Sequence, residues 1–403
     1  MMDVAEKIRR FNAGRDPERL AMKLQKMRSN PFIFLRGTCH LFYDALPRHE
    51  IFSHAPVTWI CGDLHLENFG SYKGDNRLAY FDINDFDEAV LAPCTWDLVR
   101  FLVSVQLGMQ DLSVNEREIG LLCQTFVDAY SAALHEGKAR WIERETATGL
   151  VEDLLQNLSL RSRQKFLDSR TEPKARGHHR AIRCDGRKAL PANDADRIRI
   201  EALLSTLSHT RENPDFYRVI DVARRIAGTG SLGVARYIIL VEGKGSPDAN
   251  YLLDLKEAVP SSLLPCLKTR QPVWRSEAER VVTLQNRMQA ISMAFLHAVE
   301  MDGKCYILRG LQPSEDRVDL SAWNGRLRRL EEVMISMGQL TAWAHLRSGG
   351  RQGSANADVL IGFAQDKAWH RSLLEVATQC TARVTLDWKT YADAYDHGYY
   401  RPD

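Results

Sequence analysis

With 403 residues, the chain is long enough for two or three domains or for one large two-lobed molecule. Apolar residues at 44% and charged residues at 26% are ordinary for a globular protein, and a net charge of +2 gives no global pull toward nucleic acid or a membrane surface. No run of about 18 apolar residues exists, so no membrane-spanning helix is expected.

The N-terminal M-M-D-V-A-E-K-I-R-R-F-N lacks the apolar core of a secretory signal and reads as a short amphipathic helix. Residues 5–46 read as helical, with a thick apolar face over P-F-I-F-L-R-G-T-C-H-L-F-Y-D-A-L. Residues 57–61 (V-T-W-I-C) and 78–83 (L-A-Y-F-D-I) are strand-like, separated by a turn through Gly74, Asp75 and Asn76. Helical periodicity returns at 96–109 and 115–145.

Residues 159–196 differ in composition. From Arg161 to Lys188 there are ten Lys/Arg against three Asp/Glu, with His178 and His179, and Pro173, Gly177 and Gly186 break any long helix. The stretch reads as a basic connector, either a solvated loop or an anion-attracting rim over a phosphate site.

Beyond residue 217, three strand-like runs surround G-T-G-S-L-G at 228–233 and a G-K-G-S-P-D loop. Residues 276–290 read as a helix with Ser276 as N-cap and Glu279 three residues later. Two strands near 294–299 and 305–309 follow, then a strong amphipathic helix at 325–347 and a helical remainder at 358–395. The eight cysteines (Cys39, Cys61, Cys94, Cys123, Cys184, Cys266, Cys305 and Cys380) form no C-x-x-C pair, which argues against a structural zinc site and a disulfide framework and fits a reduced, cytoplasmic setting.

Gly228, Gly230 and Gly233 make a G-x-G-x-x-G turn. A dinucleotide fold needs a helix directly after such glycines, but V-A-R-Y-I-I-L-V favours strand. Strand, Gly-rich loop and strand is instead the arrangement that covers ATP phosphates in kinases; a plain hairpin is the competing reading. Lys256, in L-L-D-L-K-E-A on the third strand, stands where a kinase keeps its phosphate-contacting Lys, with Glu279 or Glu277 as its expected helix partner.

The stretch 61–97 carries the other half of such a site. Asp63 and Asn68 are five apart in C-G-D-L-H-L-E-N-F-G, the spacing of a carboxylate that orients a hydroxyl and an Asn that binds Mg²⁺. Asp85 in N-D-F-D-E-A is the expected metal Asp, Asp82 is its rival, and Asp87 with Glu88 could add a further contact. Asp97 in W-D-L opens an apolar helix. His65 reads as a loop hydrogen-bonder rather than a metal ligand. Clustered carboxylates repel unless a cation sits among them, which argues against an idle acidic hairpin.

Here the sequence resembles an uncharacterised bacterial family whose members share S-P-F-x-F-x-R-G, C-G-D-x-H-x-x-N-F-G, N-D-F-D-E, G-T-G-S-L-G, L-x-x-K-E-A, E-R-V-V-x-x-Q and A-x-A-H-x-R-S. This chain carries them at 30–37 (with Asn30 in place of Ser), 61–70, 84–88, 228–233, 253–258, 279–285 and 342–348. More remotely, the loops resemble those of aminoglycoside phosphotransferases and protein kinases. There the catalytic loop reads H-G-D-x-x-x-x-N, and Cys61 stands in place of the His. That likeness implies that Asp97 braces the catalytic loop.

A kinase runs Gly-rich loop, Lys strand, Glu helix, hinge, long helix, catalytic loop, metal Asp. Here the first five parts occupy 217–347 and the last two 61–88. The expected fold is therefore α+β, a two-lobed kinase-like architecture in circularly permuted order. Residues 1–216 are the helical catalytic lobe with the connector, 217–320 the β-rich nucleotide lobe and 321–403 a helical return to the catalytic lobe.

The expected function is ATP- and Mg²⁺-dependent phosphoryl transfer to a hydroxyl acceptor, a small molecule before a protein, without nucleic acid or membrane partners. Asp63, Asn68, Lys256 and Glu279 are the catalytic candidates. Gly228, Thr229, Gly230, Ser231, Gly233 and Lys256 are the phosphate-binding set, with Arg309 and Gln312, in Y-I-L-R-G-L-Q, at the hinge. Asn68, Asp85, Asp82 and Asp87 are the metal set. A non-catalytic nucleotide-binding regulator or nucleotidyltransferase, and a metal-dependent hydrolase built on His65 and the Asp cluster, are the alternatives.

Overall fold

The computed structural model describes residues 3–174, 179–312 and 316–401, so Gly177 and His178 of the basic segment lie outside the described residues. The fold mixes helix and sheet. No described helix is long and apolar enough to cross a membrane.

Five short helices lead in: α1 (Val4–Phe11), α2 (Pro17–Met27), α3 (Pro31–Gly37), α4 (Cys39–Asp44) and α5 (Glu50–Ser53). Asp16 and Asn30 cap α2 and α3 by accepting the amides of Arg19 and Ile33, and each helix opens on a proline whose missing N–H costs nothing at that position. Strands β1 (Val57–Ile60), β2 (Phe69–Lys73), β3 (Ala79–Ile83) and β4 (Val90–Pro93) follow, β1 pairing with β4 and β2 with β3.

Helix α6 (Thr95–Gly108) is buried on nearly every side inside the main core, its polar Asp97, Arg100 and Ser104 included. Beside it lies α7 (Glu116–Glu136), opened by a reciprocal capping box between Asn115 and Glu118. It stops at Gly137, in the left-handed conformation, eight residues short of the helix expected from periodicity. A short β5 (Ile142–Glu143) then adds to β3.

The segment read as a connector is folded. Preceded by α8 (Gly149–Ser159), it holds α9 (Arg163–Asp168), the hairpin β6 (Thr171–Lys174) and β7 (His179–Ile182), and β8 (Ala189–Pro191), and leads into α10 (Asp194–Ser208). Buried Arg180 ties the segment together and to the rest of the chain, reaching Asp168 at 2.6 Å and Asp248 at 2.7 Å.

Strands β9 (Val219–Arg225), β10 (Arg236–Val241) and β11 (Tyr251–Glu257), helix α11 (Glu277–Met288), and strands β12 (His297–Met301) and β13 (Lys304–Gly310) complete the β-rich part. Its six-stranded antiparallel sheet runs β12-β13-β11-β10-β9-β8, so it begins at residue 189 and not at 217. Period-two alternation splits the sheet faces. Tyr237, Ile239, Leu253, Leu255 and Leu308 pack with Ile200 and Leu204 of α10. On the other face, Ile238, Leu240 and Leu252 are covered by Leu167 and Ile182 from the folded basic segment.

The chain ends in α12 (Leu327–Ser348), α13 (Ala357–Gln365) and α14 (Ala368–Asp396), which pack with α6 and α7 around the main core. Gly338 lets α12 lie directly on α7: a Cβ there would meet the Phe126 carbonyl at 2.6 Å.

Candidate functional site

β1 delivers the chain into a loop braced from below. Asp97, in the first turn of α6, accepts hydrogen bonds from the amides of Cys61 and Gly62, both at 2.9 Å. Behind it, His345 Nε2 lies 3.5 Å from the Asp97 carboxylate, and His345 Nδ1 is 3.0 Å from the Tyr130 hydroxyl. The Tyr43 hydroxyl donates to the Gly62 carbonyl at 2.6 Å. Gly62 has φ +82°, and a Cβ there would lie 2.5 Å from the Glu88 carbonyl. The braced backbone holds Asp63 toward a cavity of about 360 Å³.

Asp63 Oδ1 accepts from Arg100 Nε at 3.0 Å and Nη2 at 2.6 Å, and Arg100, wholly buried on α6, also donates to the Leu35 carbonyl at 2.7 Å. Burial raises the pKa of Asp63, and the Arg100 charge opposes that rise. Asn68 spends its amide group on the Asp63 carbonyl, which leaves its side-chain oxygen unspent. His65 is buried and accepts the Glu67 amide at 3.1 Å, a turn-capping role.

The acidic loop divides. Asp82, on β3, is buried, accepts the amides of Ile83 (2.9 Å) and Ala290 (3.1 Å) and lies 3.3 Å from Arg347; it does not line the cavity. Asp85, Asp87 and Glu88 do. Burial works against ionisation at Asp85, but Lys256 and Arg309 outweigh it and hold its carboxyl below the usual range. Glu88 is turned onto Ser261 Oγ (2.9 Å) and the Ser262 amide (2.6 Å), and burial and the Asp63 charge raise its pKa. Among the described residues no three His, Cys, Asp or Glu side chains close on one point.

Across the cavity stand Gly228, Thr229, Gly230, Ser231 and Gly233, in the loop between β9 and β10, and Lys256 of β11. The Lys256 ammonium contacts the Asp87 carboxylate, a pair 169 positions apart in the chain. Next to Lys256 on the same sheet face, Asp254 is fully buried among three arginines: Arg236 (2.8 and 2.6 Å), Arg225 (2.8 Å) and Arg309 (3.3 Å). Burial opposes its ionisation, yet these cations hold it well below the usual carboxylate range.

Besides Asp82, three expected site residues do not line this cavity and have other partners. Glu279 turns outward on α11 and binds Arg275, at 2.7 Å to the amide and 2.8 Å to Nε, so it does not reach Lys256. Glu277 is no substitute, being paired with Arg280 at 2.6 Å. Arg309 belongs to the Asp254 cluster, with a second contact at 3.4 Å to the Asn84 carbonyl, and it lines a small pocket with Asp85, Asp87 and Lys256. Gln312 donates to the Ser71 carbonyl at 3.3 Å and lines a separate cavity of about 810 Å³.

Three further residues that the sequence reading does not single out shape the site. Arg280 donates to the carbonyls of Ala89 (2.7 Å), Asp87 (2.8 Å) and Val259 (3.2 Å), clamping the acidic loop to α11. Its signal was its place in the shared E-R-V-V pattern. Arg36, in the shared R-G pair, lines the cavity and binds Glu67 at 2.9 Å. Arg15 lines it too, from a helix-start context that carried no functional signal.

The chain belongs to the family described as "Uncharacterized protein conserved in bacteria (DUF2252)", whose model matches residues 15–394. No curated protein and no solved structure gave a significant match.

Proposed function

We propose that the protein is an ATP- and Mg²⁺-dependent phosphotransferase acting on a hydroxyl acceptor, on a two-lobed kinase-like fold in circularly permuted order. The observation that carries this reading is convergence. Asp63, Asn68, Asp85 and Asp87 from the first quarter of the chain, and the Gly-rich loop and Lys256 from its second half, line one cavity. The order of parts supports the permutation: Gly-rich loop, Lys strand, helix α11, two strands and long helix α12 succeed one another as in a kinase small lobe and its exit. The brace from Asp97 to the Cys61 and Gly62 amides matches what the resemblance implies.

In this reading Asp63, oriented by Arg100, aligns the acceptor hydroxyl and takes its proton. Asp85 and the side-chain oxygen of Asn68 would hold Mg²⁺, which neutralises charge on the transferring phosphates. Two protein ligands suffice, because Mg²⁺ takes its remaining ligands from phosphates and water. Lys256 neutralises phosphate charge, and Asp87, not a helix glutamate, keeps it in place until nucleotide arrives. The acceptor must fit a cavity whose wall includes Arg36 and Arg317, which share the single carboxylate of Glu67.

The test is ATP consumption by the purified chain and its Asp63→Asn variant. Turnover should vanish in the variant while nucleotide binding persists, seen as ligand stabilisation of about 2.7 kcal/mol at 100 times the dissociation constant. Unchanged turnover in the variant would refute the role of Asp63.

A further inference from the structure

The Gly-rich loop is clasped by cations from the N-terminal segment. Arg15, between α1 and α2, donates through Nη1 to the carbonyls of Gly230 at 2.7 Å and Leu232 at 3.0 Å. Lys23 on α2 donates to the Gly230 carbonyl at 3.1 Å and to Asn12 Oδ1 at 2.8 Å. Asn12 is itself oriented by donating to the Ile8 carbonyl at 2.7 Å. The Asp16 amide adds a bond to the Gly233 carbonyl at 3.0 Å.

Two things about this clasp call for a ligand. Lys23 is wholly buried, and among the described residues neither Lys23 nor Arg15 forms an ion pair with a carboxylate. A buried charge left with neutral acceptors alone is costly, and carbonyl dipoles compensate it only in part. The second sign is His40, stacked on Phe11 at 3.8 Å with both ring nitrogens buried and unbonded. Burial, with the charges of Lys23 and Arg15, pushes its pKa down to about 2. Burial and the Arg15 charge push the Lys23 ammonium well below its usual range, so an anion at the loop would favour its charged form, and Arg15 opens directly onto the cavity that holds Asp63 and Lys256.

We propose that Arg15 and Lys23 are a polyphosphate subsite, with Arg15 as a direct phosphate ligand and Lys23 as the charge behind the Gly-rich loop. The phosphate oxygens take over Arg15 from the loop carbonyls and supply the missing negative charge. Arg15 suits this because a guanidinium donates in two parallel directions to phosphate. The N-terminal segment then belongs to the nucleotide site, although it lies more than two hundred positions from the glycines (residue 15 against residue 228). The inference rests on the phosphotransferase reading.

The test is calorimetric titration of the full chain with Mg²⁺-ATP, with inorganic tripolyphosphate and with adenosine, alongside Arg15→Gln, Arg15→Lys, Lys23→Met and Lys256→Met. Arg15→Gln and Lys23→Met should each weaken tripolyphosphate and ATP about tenfold to a hundredfold, the range of one charge-assisted hydrogen bond, and leave adenosine unaffected. Arg15→Lys should recover part of the loss. Arg15 lies in a partly exposed loop, so its variants decide the matter even if Lys23→Met does not fold. Tripolyphosphate binding within twofold of wild type in Arg15→Gln, with a clear loss in Lys256→Met, would overturn the subsite and leave the phosphotransferase standing. A wild-type chain that binds neither ATP nor tripolyphosphate would overturn both.

Discussion

Arg280→Met removes the clamp on the acidic loop while keeping an unbranched apolar stem. The Arg280 guanidinium is buried and makes four bonds, at 2.7 Å to the Ala89 carbonyl, 2.8 Å to Asp87, 3.2 Å to Val259 and 2.6 Å to Glu277. Charge-assisted bonds contribute about 1.5–3 kcal/mol each, but they are not additive, and the guanidinium's own desolvation offsets part of the sum. The Glu277 partner is about a third exposed and rehydrates when freed, so it contributes about 1 kcal/mol or less. The three carbonyls carry the rest: stranding a buried acceptor costs about 1–3 kcal/mol, and less the guanidinium's own desolvation the net loss is about 3–5 kcal/mol. Urea unfolding of Arg280→Met against wild type measures this, with Glu277→Gln as the control expected to fall within about 1 kcal/mol. Since the clamped segment carries Asp85 and Asp87, nucleotide-dependent stabilisation should fall as well. An Arg280→Met chain within about 1 kcal/mol of wild type would show that the loop holds its place without Arg280.

Asp85→Asn should weaken Mg²⁺-dependent nucleotide binding at least tenfold, whereas Asp82→Asn, buried against Arg347 and two amides, should lower the urea midpoint and leave that dependence intact; the reverse pattern would make Asp82 the metal ligand. Gly62→Ala must move the loop, because the position combines φ +82° with a Cβ only 2.5 Å from the Glu88 carbonyl, so turnover should fall at least tenfold with helical circular dichroism retained, and unimpaired turnover would contradict the tight packing. His40 sets a pH dependence: its folded pKa of about 2 lies below the ordinary 6.5, so below pH 6.5 the unfolded chain takes a proton that the native chain refuses, and stability falls as pH falls. At 1.36 kcal/mol per unit, the 1.5 units from pH 6.5 to 5 remove about 2 kcal/mol from wild type that His40→Phe should keep, and equal acid slopes in urea melts would refute it.

Where the sequence was readable, local signals were strong. β1, β3, β9, β10 and β11 lie where β-branched runs predict strands, and α11 starts at the Ser276 cap, whose Oγ accepts the Glu279 amide at 3.1 Å. The two motif sets do line one cavity. Periodicity, however, gives the period of a helix and not the phase it presents to a distant partner. A step of 100° along α11 separates Glu279, which turns to Arg275, from Arg280, which turns to the acidic loop. Asp82 and Asp85 could not be separated either, since the strand that ends between them is buried almost throughout and offers no alternation. The basic segment was misjudged for another reason: its charge density hid the short apolar insertions, Leu167 and Ile182, that dock it on the sheet.

One further signal is legible in the strand alternation. Alternation along L-L-D-L-K puts Asp254 and Lys256 on one face of β11, and the register places Arg236 opposite Lys256 and Arg309 opposite Asp254. With Arg225 on β9, this end of the face carries four cations around the single buried carboxylate of Asp254. It looks onto Asp85, Asp87 and Glu88 in a loop that, taken alone, would repel itself. Each half of the arrangement is unfavourable by itself, and the pairing of Lys256 with Asp87 joins them. That mutual requirement accounts for how segments so far apart in the chain are held in one cavity. It also accounts for why a single strand residue, Lys256, needs no helix glutamate to keep it in place.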